Sequence, residues 1–208
     1  MKKSNTSNLD TEFRRNSGKP NEDVVQELVK SSQSGDSAAF GQIYDLFIDQ
    51  IFRYISFRVS EDDNEDLTEL AFLKAWENIK DYKPGVSPFS SWLFRIAHNI
   101  IVDYYRVTKN NKEQNTVLND NIAETRRDFA AENKIHRRIE REAVREALNA
   151  LPEDYKSILV LRYINDLDYD EIEQILQRGY AALRILQYRA LKALKKELSR
   201  LGYSEIDL

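Results

Sequence analysis

The sequence predicts an all-α protein made of two small helical domains joined by a flexible linker. Glycine and proline, which disfavour helices, number only 6 and 4 among 208 residues. Apolar residues recur three and four positions apart over long stretches, which is the period of one buried helix face. A polar tract without this period separates two such regions, and the second region has the pattern of a helix-turn-helix.

Composition excludes several classes of protein. The chain has no cysteine, so it forms no disulfide framework, iron–sulfur cluster or thiol nucleophile. No run of about 18 apolar residues is present, which excludes insertion into a membrane. The basic start is followed by polar residues instead of an apolar core, so we expect no signal peptide and a cytoplasmic location.

The distribution of apolar residues predicts four segments. Residues 1–20 are polar and form a disordered lead, and residues 21–106 form the first helical domain. Residues 107–134 are the linker, and residues 135–208 form the second domain.

Helix boundaries in the first domain follow from capping residues and loop composition. A helix is expected to begin near Asn21, and Asp36 or Ser37 is the expected N-cap of the next helix. A further helix should run from Phe89 to about Tyr105, after a loop rich in Pro and Gly.

The second domain contains a short helix, a tight turn and a long basic helix. The short helix is expected over residues 170–176 and the turn over residues 177–180. The long helix should extend from about Ala181 to Leu201. This order of elements is the helix-turn-helix arrangement, in which the second helix enters the major groove of DNA.

The net charge of −4 conceals two basic segments on an acidic background. Residues 61–81 have eight acids against two lysines, whereas residues 181–200 have six basic residues against one acid. Residues 92–112 have four basic residues against one acid. The basic segments suit phosphate contact, and the acidic segment suits a protein partner.

Three motifs in this order resemble the extracytoplasmic-function group of bacterial RNA polymerase sigma factors, which have two domains. They lie at residues 66–76, at residues 88–106 and at residues 147–192. The resemblance implies binding to core RNA polymerase, recognition of the −35 and −10 promoter elements, and strand opening. It also implies a partner in an anti-sigma protein, which commonly silences members of this family.

The resemblance implies roles for residues of the first domain. The polymerase-binding residues would be Asp66, Leu67, Thr68, Phe72 and Lys74. The −10 contacts would come from Tyr82, Lys83, Trp92, Phe94, Arg95, Asn99 and Arg106. Aromatic faces can stack on unpaired bases, but Trp92 lies at helical spacing with apolar neighbours, so a core position is the alternative. Trp76 is predicted to be a core residue.

The resemblance also implies a set of −35 contacts in the second domain: Arg178, Arg184, Tyr188, Arg189, Lys192 and Lys195. Arginine can bind guanine in a bidentate manner, whereas lysines more often meet phosphates. The alternative is that Tyr188 packs against its own domain and the basic residues are only solvated. Gly179 stands where the family often has a Ser or Thr cap before the long helix.

No catalytic residues, metal ligands or cofactor site emerge from the sequence. The two histidines lack metal-ligand spacing, and no glycine-rich phosphate loop is present. Two other functions stay open at this point. One is a free-standing helix-turn-helix regulator with an N-terminal interaction domain, and the other is a helical scaffold without DNA binding.

Overall fold

A computed structural model describes residues 20–112 and 142–203, and within these ranges the regular elements are all helical. The first range contains α1 (Glu22–Gln33), α2 (Ser37–Ser56), α3 (Asn64–Asn78) and α4 (Phe89–Lys112). The second contains α5 (142–149), α6 (Glu153–Leu159), α7 (Tyr169–Leu176) and α8 (Tyr180–Arg200). The predicted fold class is confirmed. No helix among the described residues is long and apolar enough to cross a membrane.

Side-chain caps determine where α1 and α2 begin, as the sequence predicts. The Asn21 side chain accepts a hydrogen bond from the backbone N–H of Asp23 at 2.9 Å. The Asp36 carboxylate accepts from the backbone N–H groups of Ala38 and Ala39 at 2.9 and 3.1 Å. Asp36, rather than Ser37, is therefore the N-cap of α2.

The helix α4 is longer than the sequence pattern indicates. Its expected end near Tyr105 is wrong, because the helix continues to Lys112. Apolar periodicity stops near residue 106, but no Gly or Pro follows within the helix, so nothing in the sequence interrupts its backbone hydrogen bonding. Six residues assigned to the linker are thus helical, and the rest of the linker and residues 1–19 lie outside the described residues.

The helix-turn-helix consists of α7, a turn and α8. A capping box begins α7, with Asp168 as N-cap and Glu171 as the reciprocal partner. Gln177 ends α7 in the left-handed region at φ 52°, and Gly179 precedes α8 with extended backbone and no side-chain cap. The turn therefore reverses the chain at Gln177, which tolerates a conformation that usually favours glycine.

The two helical regions are packed against each other in this structure. Helix α4 lies against α7, and α2 lies against a π-helical segment, Val160–Ile164, that follows α6. The Arg145 guanidinium lies 5.2 Å from the centre of the Phe57 ring, and the Ser90 hydroxyl donates to Glu171 at 3.4 Å. The helix-turn-helix consequently rests on the domain that precedes it.

Candidate nucleic-acid interface

Helix α8 presents a basic face to solvent. Its buried face consists of Leu183, Leu186, Ala190, Leu194 and Leu198. The predicted −35 residues lie outside this stripe and are exposed: Arg184, Tyr188, Arg189, Lys192 and Lys195. Tyr188 is 69% exposed, so it does not pack against its own domain. The arrangement brings an aromatic ring and four cations onto the accessible surface of one helix.

Two of the predicted −35 arginines already have partners within the protein. Arg178, in the turn, forms an ion pair with Asp154 at 2.6 Å. The guanidinium of Arg184 lies 5.6 Å from the centre of the Tyr169 ring. These contacts restrict both side chains before any DNA is bound.

The aromatic residues predicted to contact the −10 element lie mainly in the core. Phe94 is completely buried and packs edge-on against Tyr54, with ring centres 5.5 Å apart. Trp92 is 9% exposed and packs against Tyr82 and Phe89. Phe94 is therefore not accessible to a base in this arrangement, and Trp92 takes the alternative core position.

Tyr82 has a structural position beneath the loop that precedes α4. It is 3% exposed, its hydroxyl donates to the backbone oxygen of Ser87 at 2.9 Å, and it accepts from Gln26 Nε2 at 3.1 Å. Burial raises the pKa of Tyr82. Lys83 and Val86 of this loop are exposed. The loop borders a cleft of about 650 Å³ that is also lined by Leu167, which belongs to the second described range, residues 142–203.

The remaining predicted −10 residues are polar and accessible. Asn99 and Arg106 are exposed on α4, and Arg95 is half-buried. Arg106 forms an ion pair with Asp103, one helical turn earlier, at 3.1 Å. Because both partners are well exposed, this pair is weak and can exchange for a phosphate.

The predicted polymerase-binding helix, α3, buries two of its five proposed contacts. Phe72 is 4% exposed and packs against Tyr44, with ring centres 4.6 Å apart. Thr68 is 2% exposed, and its hydroxyl donates to the backbone oxygen of Asn64 at 2.7 Å. Phe72 and Thr68 therefore face the interior and are not accessible to a partner in this structure. Asp66 is exposed, and Leu67 and Lys74 are half-buried.

The outer face of α3 has an apolar strip that the sequence analysis missed. Leu70 and Leu73 are 36% and 54% exposed, and a shallow cleft lies between them, Asp66 and Glu69. Apolar residues surrounded by acids are typical of a surface for another protein. Helical spacing could have indicated this strip, because Leu70 and Leu73 are three residues apart and Leu73 is adjacent to the inward-facing Phe72.

A buried ionic cluster joins the two halves beneath α4. Arg58 is 1% exposed, and its guanidinium donates to Glu153 Oε2 at 2.9 Å and to the Tyr54 hydroxyl at 2.8 Å. Lys156 is 4% exposed and lies 3.1 Å from the second oxygen of Glu153. One carboxylate thus pairs with two buried cations, one from each half of the molecule, and the three groups together keep one positive charge.

Two residues of α4 beside this cluster have shifted pKa values, mainly because they are buried. Burial lowers the pKa of His98 to about 4, with a smaller contribution from the charge of Arg58. The Nδ1 atom of His98 lies 3.0 Å from the Tyr54 hydroxyl. Burial raises the pKa of Tyr105 to about 12, with a smaller contribution from the charge of Glu153. Both side chains are neutral at pH 7, so neither adds a charge to this contact.

Profiles of known protein families match both described ranges of the chain. The profile of Sigma-70 region 2 matches residues 43–110, and that of Sigma-70, region 4, matches residues 141–194. The chain is a sigma factor of the extracytoplasmic-function type. It is a promoter-recognising transcription initiation factor of RNA polymerase.

Two relatives and one solved structure illustrate the similarity. The sigma factor BldN of Streptomyces coelicolor is 29% identical over 84% of this chain, which spans 66% of that protein. SigW of Bacillus subtilis is 27% identical over 84% of this chain and 97% of that protein. The structure of RpoE from Bartonella quintana, in complex with the anti-sigma factor NepR, gives a TM-score of 0.64 at 21% identity and covers 77% of this chain and 96% of that one.

Within the sigma factor, the region 2 match covers α3 and all but the last two residues of α4, and the region 4 match covers α7 and α8 as far as Leu194. The first two motifs of the sequence therefore lie in region 2 and the third in region 4. The Arg58–Glu153 pair joins region 2 to region 4.

Proposed function

We propose that α8 docks in the major groove at the −35 element. In this proposal Arg184, Tyr188 and Arg189 face base edges, while Lys192 and Lys195 meet phosphates. The exposed basic and aromatic face of α8, directly after the tight turn of a helix-turn-helix, is the observation that supports it. Arg178 lies in that turn and reaches a phosphate once it leaves Asp154.

The −10 element, in the same proposal, meets the polar face of α4 and the loop before it. Lys83, Arg95, Asn99 and Arg106 contact the DNA, since these side chains retain accessible surface. Tyr82 and Trp92 support that loop from beneath, and strand opening uses the loop cleft. The division between accessible polar residues and buried aromatic ones supports this assignment.

Core RNA polymerase binds the outer face of α3 in this proposal. Of the polymerase-binding residues predicted from the sequence, Asp66, Leu67 and Lys74 contribute to this surface. Leu70 and Leu73 supply its apolar contact. Only a minority of interface residues weaken binding by more than about 1 kcal/mol when they are truncated, and Leu73, the more exposed of the two leucines, is the one that we expect to do so here. Phe72 and Thr68 hold the helix in place from inside.

We further propose a partner and a setting for the sigma factor. RpoE of Bartonella quintana forms a complex with an anti-sigma factor, and an analogous partner would silence this chain. The protein works in the cytoplasm, beside polymerase and promoter DNA, and catalyses no reaction of its own. The linker 107–134 and the domain limits at 21–106 and 135–208 belong to the same proposal.

Run-off transcription with core RNA polymerase and a library of genomic promoters tests the proposed function. The full chain should direct initiation from a discrete set of promoters, and Leu73→Ser should reduce initiation by lowering affinity for core enzyme. Leu46→Ser, which changes a leucine 38% exposed on α2, is the matched control. Promoter binding that needs no core enzyme, with no initiation when core is added, would instead indicate a free-standing regulator.

A further inference from the structure

Tyr169, the first residue of α7, lies against the beginning of the recognition helix α8. The guanidinium of Arg184 lies 5.6 Å from the centre of its ring, and that of Arg162 lies 5.2 Å away. The Tyr180 ring packs against it nearly edge-on, with ring centres 5.1 Å apart. Tyr169 is therefore an aromatic platform shared by two arginines, one of which is a proposed −35 contact.

Arg162 and the start of α7 hold this platform firmly. The Arg162 side chain is 11% exposed and donates to the backbone oxygen of Leu167 at 2.7 Å and to Asp168 Oδ1 at 3.3 Å. Asp168 is itself the N-cap of α7 and a member of its capping box. The ring thus belongs to the rigid base of the helix-turn-helix instead of a mobile loop.

The Tyr169 hydroxyl makes a second, separate contact with α8. It donates to Gln187 Oε1, and Gln187 Nε2 donates in turn to the hydroxyl of Tyr163. Gln187 is three residues after Arg184, so the two side chains are neighbours on one helix surface. The ring face restrains Arg184, and the hydroxyl restrains the position one turn further on.

An exposed arginine ordinarily samples many rotamers, and ordering it opposes DNA binding. A cation–π contact on a rigid ring removes part of that freedom in advance. We propose that Tyr169 is a positioning residue for sequence recognition, which holds the Arg184 guanidinium in one orientation before DNA arrives. This inference rests on the proposed role of Arg184 at the −35 element.

The test measures base preference with the complete holoenzyme. The probe is a duplex library in which the −35 element of one promoter, identified by the run-off experiment, is randomised. Arg184→Ala should relax preference at one base pair by about tenfold. Tyr169→Leu should relax the same base pair by about three- to tenfold, while leaving the dependence of affinity on salt unchanged, since no cation is removed.

Two further variants separate positioning from general stability. Tyr169→Phe keeps the ring and loses the hydroxyl, so preference at the Arg184 base pair should be retained. Tyr169→Leu combined with Arg184→Ala should relax it no further than Arg184→Ala alone, because both changes remove one interaction. Tyr155→Leu, at a half-buried tyrosine of α6, is the control for loss of an aromatic side chain.

Three outcomes would overturn the inference. If Tyr169→Leu lowers the melting temperature but keeps base preference, the ring is only structural. If it weakens binding to all sequences equally, it does not act through Arg184. If Arg184→Ala leaves base preference intact, the proposed role of Arg184 at the −35 element fails, and the inference fails with it. In the first two outcomes Arg184→Ala still relaxes base preference, so only the inference fails.

Discussion

The two helices proposed to contact DNA, α4 and α8, differ in how much of their surface is available. Helix α8 buries one apolar stripe and leaves five of the proposed −35 side chains exposed. Helix α4 is packed within region 2 and also against α7 of region 4, and its aromatic side chains Phe89, Trp92 and Phe94 are buried. One recognition helix is therefore accessible in this arrangement, and the other is partly covered by the rest of the protein.

This difference means that the two proposed DNA contacts place different requirements on the protein. The proposed contact side chains on α8 itself are already exposed, and only Arg178 in the turn has to leave its partner Asp154. The side of α4 that faces α7 becomes accessible only when regions 2 and 4 separate. Glu153 lies at the centre of the contact that opposes separation, because its carboxylate pairs with both Arg58 of region 2 and Lys156 of region 4.

The largest expected effect is that of Glu153→Ala, which would leave two buried cations without their carboxylate. Removing one partner of a fully buried ion pair costs about 3–5 kcal/mol, and because the Glu153 side chain is 40% exposed we expect a cost at the lower end. Separation of the two regions would relieve that cost by hydrating Arg58. We expect the variant to open, with a larger radius of gyration in solution scattering and faster amide hydrogen exchange in α7. The difference in accessible surface between α4 and α8 should then decrease.

Glu146→Ala, at an exposed acid of α5, is the matched control and should leave both measurements unchanged. An unaltered radius of gyration and unaltered exchange in Glu153→Ala would contradict the conclusion that this carboxylate holds the regions together.

Protonation of His98 should produce the next largest effect. Its pKa is lowered from 6.5 to about 4 in the folded protein. A depressed histidine pKa means that its contribution to stability is complete above pH 6.5 and is lost as the pH falls towards 4. The loss amounts to roughly 3 kcal/mol for a shift of this size. The groups that face His98 are Tyr54, Arg58, Asp154 and Arg178.

Urea unfolding at pH 7 and at pH 4.5 measures this loss. His98→Gln keeps a polar group beside Tyr54 but cannot become protonated, so it should show a smaller difference in unfolding free energy between the two pH values. Equal pH dependence in the two proteins would place the effect on carboxylates elsewhere and refute the assignment to His98.

The accessible helix provides a smaller, electrostatic prediction. Replacing both Lys192 and Lys195 with Gln should reduce the slope of log affinity against log salt by about 1.8, since each phosphate contact contributes about 0.9. Filter binding of holoenzyme to promoter DNA at several salt concentrations measures it. Base preference should not change, and Lys30→Gln at an exposed lysine of α1 should leave the slope as it is. A change in base preference would mean that these lysines contact bases.

Much of α8 could be predicted from the sequence, whereas α3 and α4 could not be predicted to the same extent. On α8 one apolar stripe lies opposite a face of basic residues, so that inside and outside can be told apart even though Ile185 is 55% exposed. On α3, the adjacent residues Phe72 and Leu73 are both apolar, yet one is 4% and the other 54% exposed. Periodicity detects such a helix but does not show which apolar side faces the core.

Contacts between distant parts of the chain are also beyond the sequence patterns. Arg58 and Glu153 are 95 residues apart, and nothing near either residue indicates the other. The sequence predicts separate domains on a flexible linker, while the buried pair depends on how the two regions pack. Burial of Phe94 and Trp92 has a similar origin, because an aromatic residue on an amphipathic helix fits a core or a base equally well.

The smallest expected effect concerns the start of α8, where Gly179 is an N-cap without a side chain. Its backbone is extended at φ −64°, and a Cβ added there would meet no atom within 4 Å. Gly179→Ser should therefore introduce a hydrogen bond to a backbone N–H of the first turn and raise the unfolding free energy by a few tenths of a kcal/mol. Gly179→Ala, which adds a Cβ but no acceptor, is the control, and thermal unfolding compares the two. Equal melting temperatures for the Ser and Ala variants would show that the first turn of α8 gains nothing from a cap, and that its N–H groups are already satisfied by solvent.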